Sequence, residues 1–456
     1  MKLRVTLSIL ACRLCRKLLR LLGRGGTDFP GRVALKLCPN LLGVMARNTT
    51  VIIVTGTNGK TTTSRMIEQA MMDAGLSYFA NKSGANLLSG VTAEFADHCT
   101  LGGVSRCDYA LIESDEAAFK AISRFVDAKV VVVTNVFRDQ LDRYGEVSHT
   151  LDNIRIGITN SPHATLCLNA DDSLIASLGE DKLHPAIYFG VNVPIYQNRV
   201  SEVSDAPYCL RCKHEYEYDY VTYGHLGGWH CPVCGYSRRT PDVAVSAVYS
   251  SDAEHSSVAF TLDGKSIDAE INLPGGYNIY NACAAMAVGK VLNLAPELCA
   301  ASLASFACGF GRMEKFEIHG RKLRMILIKN PAGCNQVLNF LSNVTEPMLF
   351  VACLNDRAQD GKDVSWIWDV DFERLAELGD RLTGVLVSGV RADDLAVRFK
   401  YAGIPTEKIR VIKDYGQLLE ACLQQEQPVY LMPTYTAMLQ LREKISKTYG
   451  FKEFWE

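Results

Sequence analysis

The sequence predicts an α/β protein organised around a parallel sheet that carries a phosphate-binding loop, and three observations lead there. Apolar, β-branched runs at 51–54 (VIIV), 109–112 (YALI) and 130–133 (VVVV) alternate with helical stretches, as the buried strands of a doubly wound sheet do. The first run passes directly through VTGTNGKTTT (54–63) into helical sequence. A second alternation begins near Arg321, with strand candidates at 324–328, 348–354, 384–389 and 428–433, so a separate C-terminal α/β domain is expected. The expected division is an amphipathic N-terminal segment at 1–45, a central domain at 46–315 and the C-terminal domain at 316–456.

Along the N-terminal segment, Leu14, Leu18, Leu21 and Leu22 share one helical face, with Arg13, Arg16, Lys17, Arg20 and Arg24 mostly on the other. The apolar face is expected to pack on the protein; contact with a membrane surface is the other use of such a helix. Arg13, Arg16, Lys17 and Arg20 interrupt the longest apolar stretch, so neither a spanning helix nor a cleaved leader is expected. Across the 456 residues, 48 Lys and Arg offset 50 Asp and Glu. That balance supplies no general attraction to nucleic acid or anionic lipid, and any such contact must be local. With 48% hydrophobic and 21% charged residues the chain has ample material for packed cores.

In the central domain the loops after the three strands, at 55–63, 113–116 and 134–142, are expected to converge, because ligands of open α/β sheets bind beyond the carboxyl ends of the strands. The first has the form GxxGKT at Gly56, Gly59, Lys60 and Thr61. Its glycines let backbone N–H groups turn toward phosphate oxygens, the helix N-terminus favours negative charge, Lys60 reaches the terminal phosphates and the Thr61 hydroxyl is placed to ligate Mg²⁺. The first glycine stands three residues before the second rather than five, a variant of the common loop. Glu113, at the end of the second run, is the matching carboxylate for Mg²⁺.

Sixteen cysteines divide into two groups. Most, such as Cys167, Cys283, Cys308 and Cys353, lie singly in apolar runs and read as buried thiols of a reducing compartment. Cys209, Cys212, Cys231 and Cys234 instead form two CxxC pairs within a Cys- and aromatic-rich insert at about 205–240, the spacing of a structural zinc site. Four thiolates close the coordination shell, so this Zn²⁺ is expected to hold the insert rather than to act on substrate. His214, His225 and His230 nearby read as solvated or supporting groups, and the Cys12–Cys15 pair as accidental.

GTNGKTTT, Thr134-Asn135 followed by RDQLDRYGE, GGYNIYNACAA at 275–285 and GRME at 311–314 together resemble the Mur ligase family. The four-Cys insert, KNPAGCNQ (329–336) and DGKDVSWIWD (360–369) look like the branch that amidates lipid II in peptidoglycan synthesis. The resemblance implies a three-domain ATP-dependent ligase that activates a carboxylate as an acyl phosphate for attack by a nitrogen nucleophile. It implies that Gly56, Thr57, Asn58, Gly59, Lys60, Thr61 and Thr62 cradle ATP, that Asn278 contacts adenine, that Arg312 touches the nucleotide and that Glu113 binds Mg²⁺. Two departures stand out: the family's DHLD reads DQLD at Asp139–Asp142, and no lysine matches the family's modified metal-bridging lysine.

A glutaminase needs a nucleophilic Cys on a glycine-flanked elbow with a paired His. Cys334 in AGCNQ lacks the second glycine, so glutaminase chemistry is expected from another chain. The resemblance supplies a GatD-type glutaminase, with lipid II as substrate, no nucleic acid, and a location in the cytoplasm at the inner face of the plasma membrane. Asp363 and Asp360, then Asp356, are the carboxylates expected to complete the partner's Cys–His pair across the interface. The rival readings are an amino-acid-adding Mur or folylpolyglutamate-type ligase and a nucleic-acid-binding NTPase gripping the strand through Arg211, Lys213, Arg238 and Arg239.

Overall fold

A computed structural model describes residues 2–21, 28–81, 85–139, 147–195, 204–252, 254–306 and 312–451, the side chain of Arg312 excepted. The central sheet takes β1 (Thr50–Thr55), β2 (Tyr78–Ala80), β3 (Tyr109–Glu113), β4 (Val130–Val133), β5 (Thr165–Asn169) and β6 (Ala186–Val191). A separate hairpin follows, β7 (Glu217–Tyr223) and β8 (Leu226–His230), before β9 (Val243–Ser251), β10 (Ser256–Leu262) and β11 (Lys265–Ile271) complete the sheet. Its strand order is β11-β10-β9-β6-β5-β4-β1-β3-β2, parallel from β2 to β9 and antiparallel at the β10–β11 edge.

β1 lies between β3 and β4, so successive crossovers leave it on opposite sides. This is the topological switch point, and it brings together the carboxyl ends of the three strands read from the sequence. The Val and Ile side chains of these strands are buried on both faces. Helices Lys60–Asp73 and Gly276–Val291 cover one face; helices Leu88–His98, Glu116–Ile122 and Val147–Thr159 cover the other. The helix expected from Asn281 begins at Gly276, where Gly275 turns the chain in at φ +90°.

The N-terminal helix runs over Lys2–Leu21, within the expected segment, and it corrects the expected packing. Val5, Ile9 and Cys12 enter the central core, and buried Arg16 pairs with Glu94 at 2.9 Å and with Asp97. Leu14, Leu18 and Leu21 face outward instead. A helix has two faces, and here Val5, Ile9 and Cys12 rather than the leucines lie against the neighbouring helices. Leu22 and Arg24 lie outside the described residues.

The second sheet contains β12 (Arg312–Ile318), β13 (Arg321–Ile326), β14 (Met348–Cys353), β15 (Leu382–Ser388), β16 (Ile409–Val411) and β17 (Val429–Pro433), in the order β12-β13-β17-β14-β15-β16. All pairs are parallel except β12–β13. Residues 315 and 316, where the domain change was expected, are both in β12. Cys167, Cys283 and Cys353 are buried, and burial pushes the Cys167 and Cys283 thiols up to about 12; Cys308 lies outside the described residues.

Candidate functional site

The phosphate loop leaves β1 with Gly56 at φ +119° and enters its helix with Gly59 at φ +84°. A Cβ at Gly56 would stand 2.3 Å from Thr134 Oγ1, and one at Gly59 2.1 Å from Asn281 Oδ1, so both positions exclude any side chain. The neighbouring loop holds this path: Asn58 N donates to Asn135 Oδ1 at 3.0 Å, Thr57 N to Asn135 O at 2.9 Å, and Thr134 Oγ1 to Asn58 O at 2.7 Å. No side chain caps the helix that starts at Lys60, which leaves its first N–H groups open to an anion. Thr62 is buried beneath the loop.

Lys60 Nζ donates back to Gly56 O and to Thr57 O, and stands 3.6 Å from Glu116. Burial works against its charge, but Glu116 and then Asp115, Glu113 and Asp139 raise its pKa above the ordinary value, so the amine is cationic. Thr61 Oγ1 donates to Glu113 Oε1 at 3.0 Å. Asn81 holds Glu113 in place from both sides, accepting from its N and donating to its O, each at 2.8 Å. A hydroxyl and a carboxylate thus meet at the mouth of an anion cradle, the donor set that a phosphate-bound Mg²⁺ takes.

Beyond the loop opens a cleft between the two sheets, walled by Asn58, Gly59 and Thr62, by Tyr277 and Asn278, and by Met313, Ile326 and Gln336 of the C-terminal domain. Asn278 Nδ2 donates to Pro274 O at 2.7 Å and its Oδ1 accepts from Asn281 at 3.0 Å, which fixes the amide while leaving one N–H for a ligand. Arg312 opens β12 beside Met313, and its side chain lies outside the described residues.

The C-terminal domain closes on the loop. Lys329 Nζ meets Asp139 Oδ2 at 2.6 Å, and Asn330 Nδ2 donates to Asn58 Oδ1 at 3.0 Å. Asn330 Oδ1 also accepts from Gly333 N at 2.8 Å, capping helix Pro331–Ser342. KNPAG, read from sequence only as a branch signature, is therefore a latch on the phosphate loop. The remainder of DQLD, Gln140 to Asp142, lies outside the described residues.

In the insert, Cys209, Cys212, Cys231 and Cys234 place their sulfurs within 4.8 Å of one another, with 3.6 Å between Cys209 and Cys234 and 3.4 Å between Cys212 and Cys231. A tetrahedron with metal–sulfur bonds near 2.3 Å has edges of about 3.8 Å, so the four fit a metal. Two matching turns carry them, closed by Lys213 N on Cys209 O and Gly235 N on Cys231 O.

His214 is exposed and His230 half-buried, but His225 is fully enclosed, 3.4 Å from Asp172 Oδ1, with its ring tilted at 49° to that of Phe137 and 4.6 Å from it. Asp172 Oδ2 accepts from Val136 N at 2.9 Å, next to Asn135. The Tyr280 hydroxyl joins Thr222 and Asp171 at 2.6 Å each. The hairpin thereby braces the nucleotide-side loops, a link without a signal in linear spacing. Arg238 pairs with Asp171 at 2.7 Å and Arg211 with Glu180 at 3.2 Å.

The three carboxylates after β14 separate. Asp360 is buried and accepts from Thr436 N at 2.7 Å and from its hydroxyl, capping the last helix, Tyr435–Tyr449, which withdraws it from the protein surface. Asp356 pairs with Arg391 at 3.1 Å. Asp363 is partly exposed, and the hydroxyl and N–H of Ser365 hold its carboxyl below the usual range. Cys334 is buried in its helix, where burial pushes its thiol up, the opposite of a nucleophile's environment.

Residues 54–211 and 214–289 match the Mur ligase middle domain and residues 327–438 match the MurT ligase C-terminal domain. The chain is 33% identical over 448 residues, 98% of each chain, to the lipid II isoglutaminyl synthase (glutamine-hydrolyzing) subunit MurT of Streptococcus pneumoniae (strain ATCC BAA-255 / R6). The chain belongs to the MurT branch of the Mur ligase family. The subunit of the same name from Staphylococcus aureus (strain COL) is 30% identical, covering 96% of this chain and 97% of that one. Among solved structures, the MurF ligase of Thermotoga maritima in complex with ADP superimposes with a TM-score of 0.62 at 15% identity, over 91% of this chain and 85% of that one, which establishes the shared Mur ligase fold. In this Mur ligase chain the central α/β domain, the cysteine insert and the C-terminal α/β domain are the parts that assemble the site described above.

Proposed function

We propose that this chain is the ligase subunit of a lipid II isoglutaminyl synthase, converting the α-carboxylate of D-glutamate in the lipid II stem peptide to the amide of D-isoglutamine. A carboxylate oxygen attacks the γ-phosphorus of ATP and ADP leaves; ammonia then attacks the acyl carbon, loses a proton and expels phosphate. Lys60 offsets charge on the transferring phosphoryl group, the N–H groups of Gly59 to Thr62 hold the phosphates, and Asn278 reads the base. Thr61 and Glu113 would hold Mg²⁺, which supplies charge compensation. Cys209, Cys212, Cys231 and Cys234 would hold a structural Zn²⁺.

The correspondence with MurT subunits from end to end, at 33% identity, carries this reading. The buried state of Cys334 supports a separate glutaminase of the GatD type as ammonia source, with the partly exposed Asp363 the favoured carboxylate at that contact. A lipid-linked substrate would require the enzyme to meet a membrane surface.

Reconstitution with ATP, glutamine, lipid II and a candidate glutaminase subunit tests the reading by mass spectrometry of the product. Amidated lipid II is expected only with both chains, or with this chain and ammonium. Addition of a free amino acid in place of ammonia would assign it to the amino-acid-adding ligases.

A further inference from the structure

Helix Lys2–Leu21 carries two apolar faces, and only one of them is used by the fold. Val5, Ile9 and Cys12 are buried against the helices beneath. On the opposite side Leu3, Leu7, Leu10, Leu14, Leu18 and Leu21 recur every three or four residues and form one ridge, with Leu7 at 52%, Leu14 at 61% and Leu18 at 52% exposure. Single exposed leucines are ordinary, but six in register along about 30 Å of helix are not. Leu101 and Val104 extend the apolar surface beside it, where Thr6 Oγ1 donates to Leu101 O at 3.0 Å.

Charge indicates what covers the ridge. The helix contains six basic residues and no acidic one, in a chain whose net charge is −2. Lys2, Arg4, Lys17 and Arg20 are exposed along the flanks of the leucines. The carboxylates at this end are already engaged, Glu94 and Asp97 by Arg16 and Asp28 by Arg32. The positive field beside the ridge therefore stands uncompensated at the surface. No helix among the described residues is long and apolar enough to cross a membrane.

We propose that the leucine ridge of Lys2–Leu21 docks on an anionic phospholipid leaflet, with the leucines entering the headgroup–acyl boundary and Lys2, Arg4, Lys17 and Arg20 meeting lipid phosphates. Such docking is reversible, since one helix of this length binds an interface without inserting through it. Orientation follows from the buried face: Val5, Ile9 and Cys12 tie the helix to the central domain, so docking holds that domain at the membrane.

The test is co-sedimentation of the full chain with vesicles of phosphatidylglycerol and phosphatidylcholine, against phosphatidylcholine alone. Binding is expected only to the anionic vesicles and weakens with salt. Leu7→Gln/Leu14→Gln/Leu18→Gln, which leaves the buried face untouched, is expected to weaken binding by at least about tenfold. Lys17→Glu/Arg20→Glu is expected to remove the preference for anionic lipid. The wild-type chain remaining in the supernatant with anionic vesicles, or the leucine variant binding as tightly as wild type, overturns the proposal. A leucine variant that abolishes self-association or glutaminase binding, while wild type ignores vesicles, reassigns the ridge to a protein contact and overturns it too.

Discussion

The Lys329 ammonium of the C-terminal domain meets the Asp139 carboxylate of the central domain at 2.6 Å, directly above the phosphate loop. Asn330, the next residue, donates to Asn58 within that loop. These two contacts make closure of the C-terminal domain and the shape of the cradle a single arrangement. Asp139→Asn and Lys329→Met should each lower kcat/KM by about tenfold, and the double variant should lose little more than either alone, as for two halves of one contact. Steady-state kinetics on all four proteins check this, and fully additive losses would show that the two act separately.

Lys60→Ala should reduce amidation by at least about a hundredfold at saturating ATP, because it removes a positive charge facing the transferring phosphoryl group. The fold should persist, since Lys60 contacts loop carbonyls and Glu116 rather than an apolar core. Thermal melting beside the assay separates loss of chemistry from loss of structure. More than a tenth of wild-type activity would remove Lys60 from its assigned place.

Metal analysis should find one zinc per chain, lost in the Cys231→Ser/Cys234→Ser double variant. Because Tyr280 links Thr222 of the hairpin to Asp171, and His225 lies against Asp172, loss of the metal should also weaken nucleotide binding, measurable by calorimetry with a non-hydrolysable ATP analogue. Unchanged nucleotide affinity in a metal-free chain would show the hairpin to stand without its zinc.

Asp363→Asn should abolish glutamine-dependent amidation and spare the ammonium-driven reaction, since the amide keeps the shape but not the charge that would orient a partner histidine. The low pKa conferred by Ser365 keeps this carboxylate anionic throughout the neutral range, so the wild-type contribution should be flat from pH 6 upward and fall only on acidification. Equal loss of both activities would place Asp363 in the ligase site or the fold.

What the sequence determined was local chemistry. The strands at 51–54, 109–112 and 130–133, the glycines of the phosphate loop and the four cysteines were legible because β-branched runs, positive-φ turns and CxxC spacing each require particular residues at short range. The loop glycines could also be read with their reason, since only Gly tolerates φ +119° and +84° there.

Tertiary structure decided everything that depends on approach across the chain. The latch from Lys329 and Asn330 to Asp139 and Asn58, and the enclosure of His225 against Asp172, join residues far apart in sequence, and neither leaves a periodic trace. Asp360 and Asp363 are three positions apart and alike in chemistry, yet one is buried capping a helix and the other is partly open to solvent. The N-terminal helix makes the same point about faces: its leucines were visible in the sequence, but the surface beneath it selected Val5, Ile9 and Cys12 for the core and left the leucines outside. Periodicity shows that a helix has an apolar face; which face is buried depends on the shape of what it packs against.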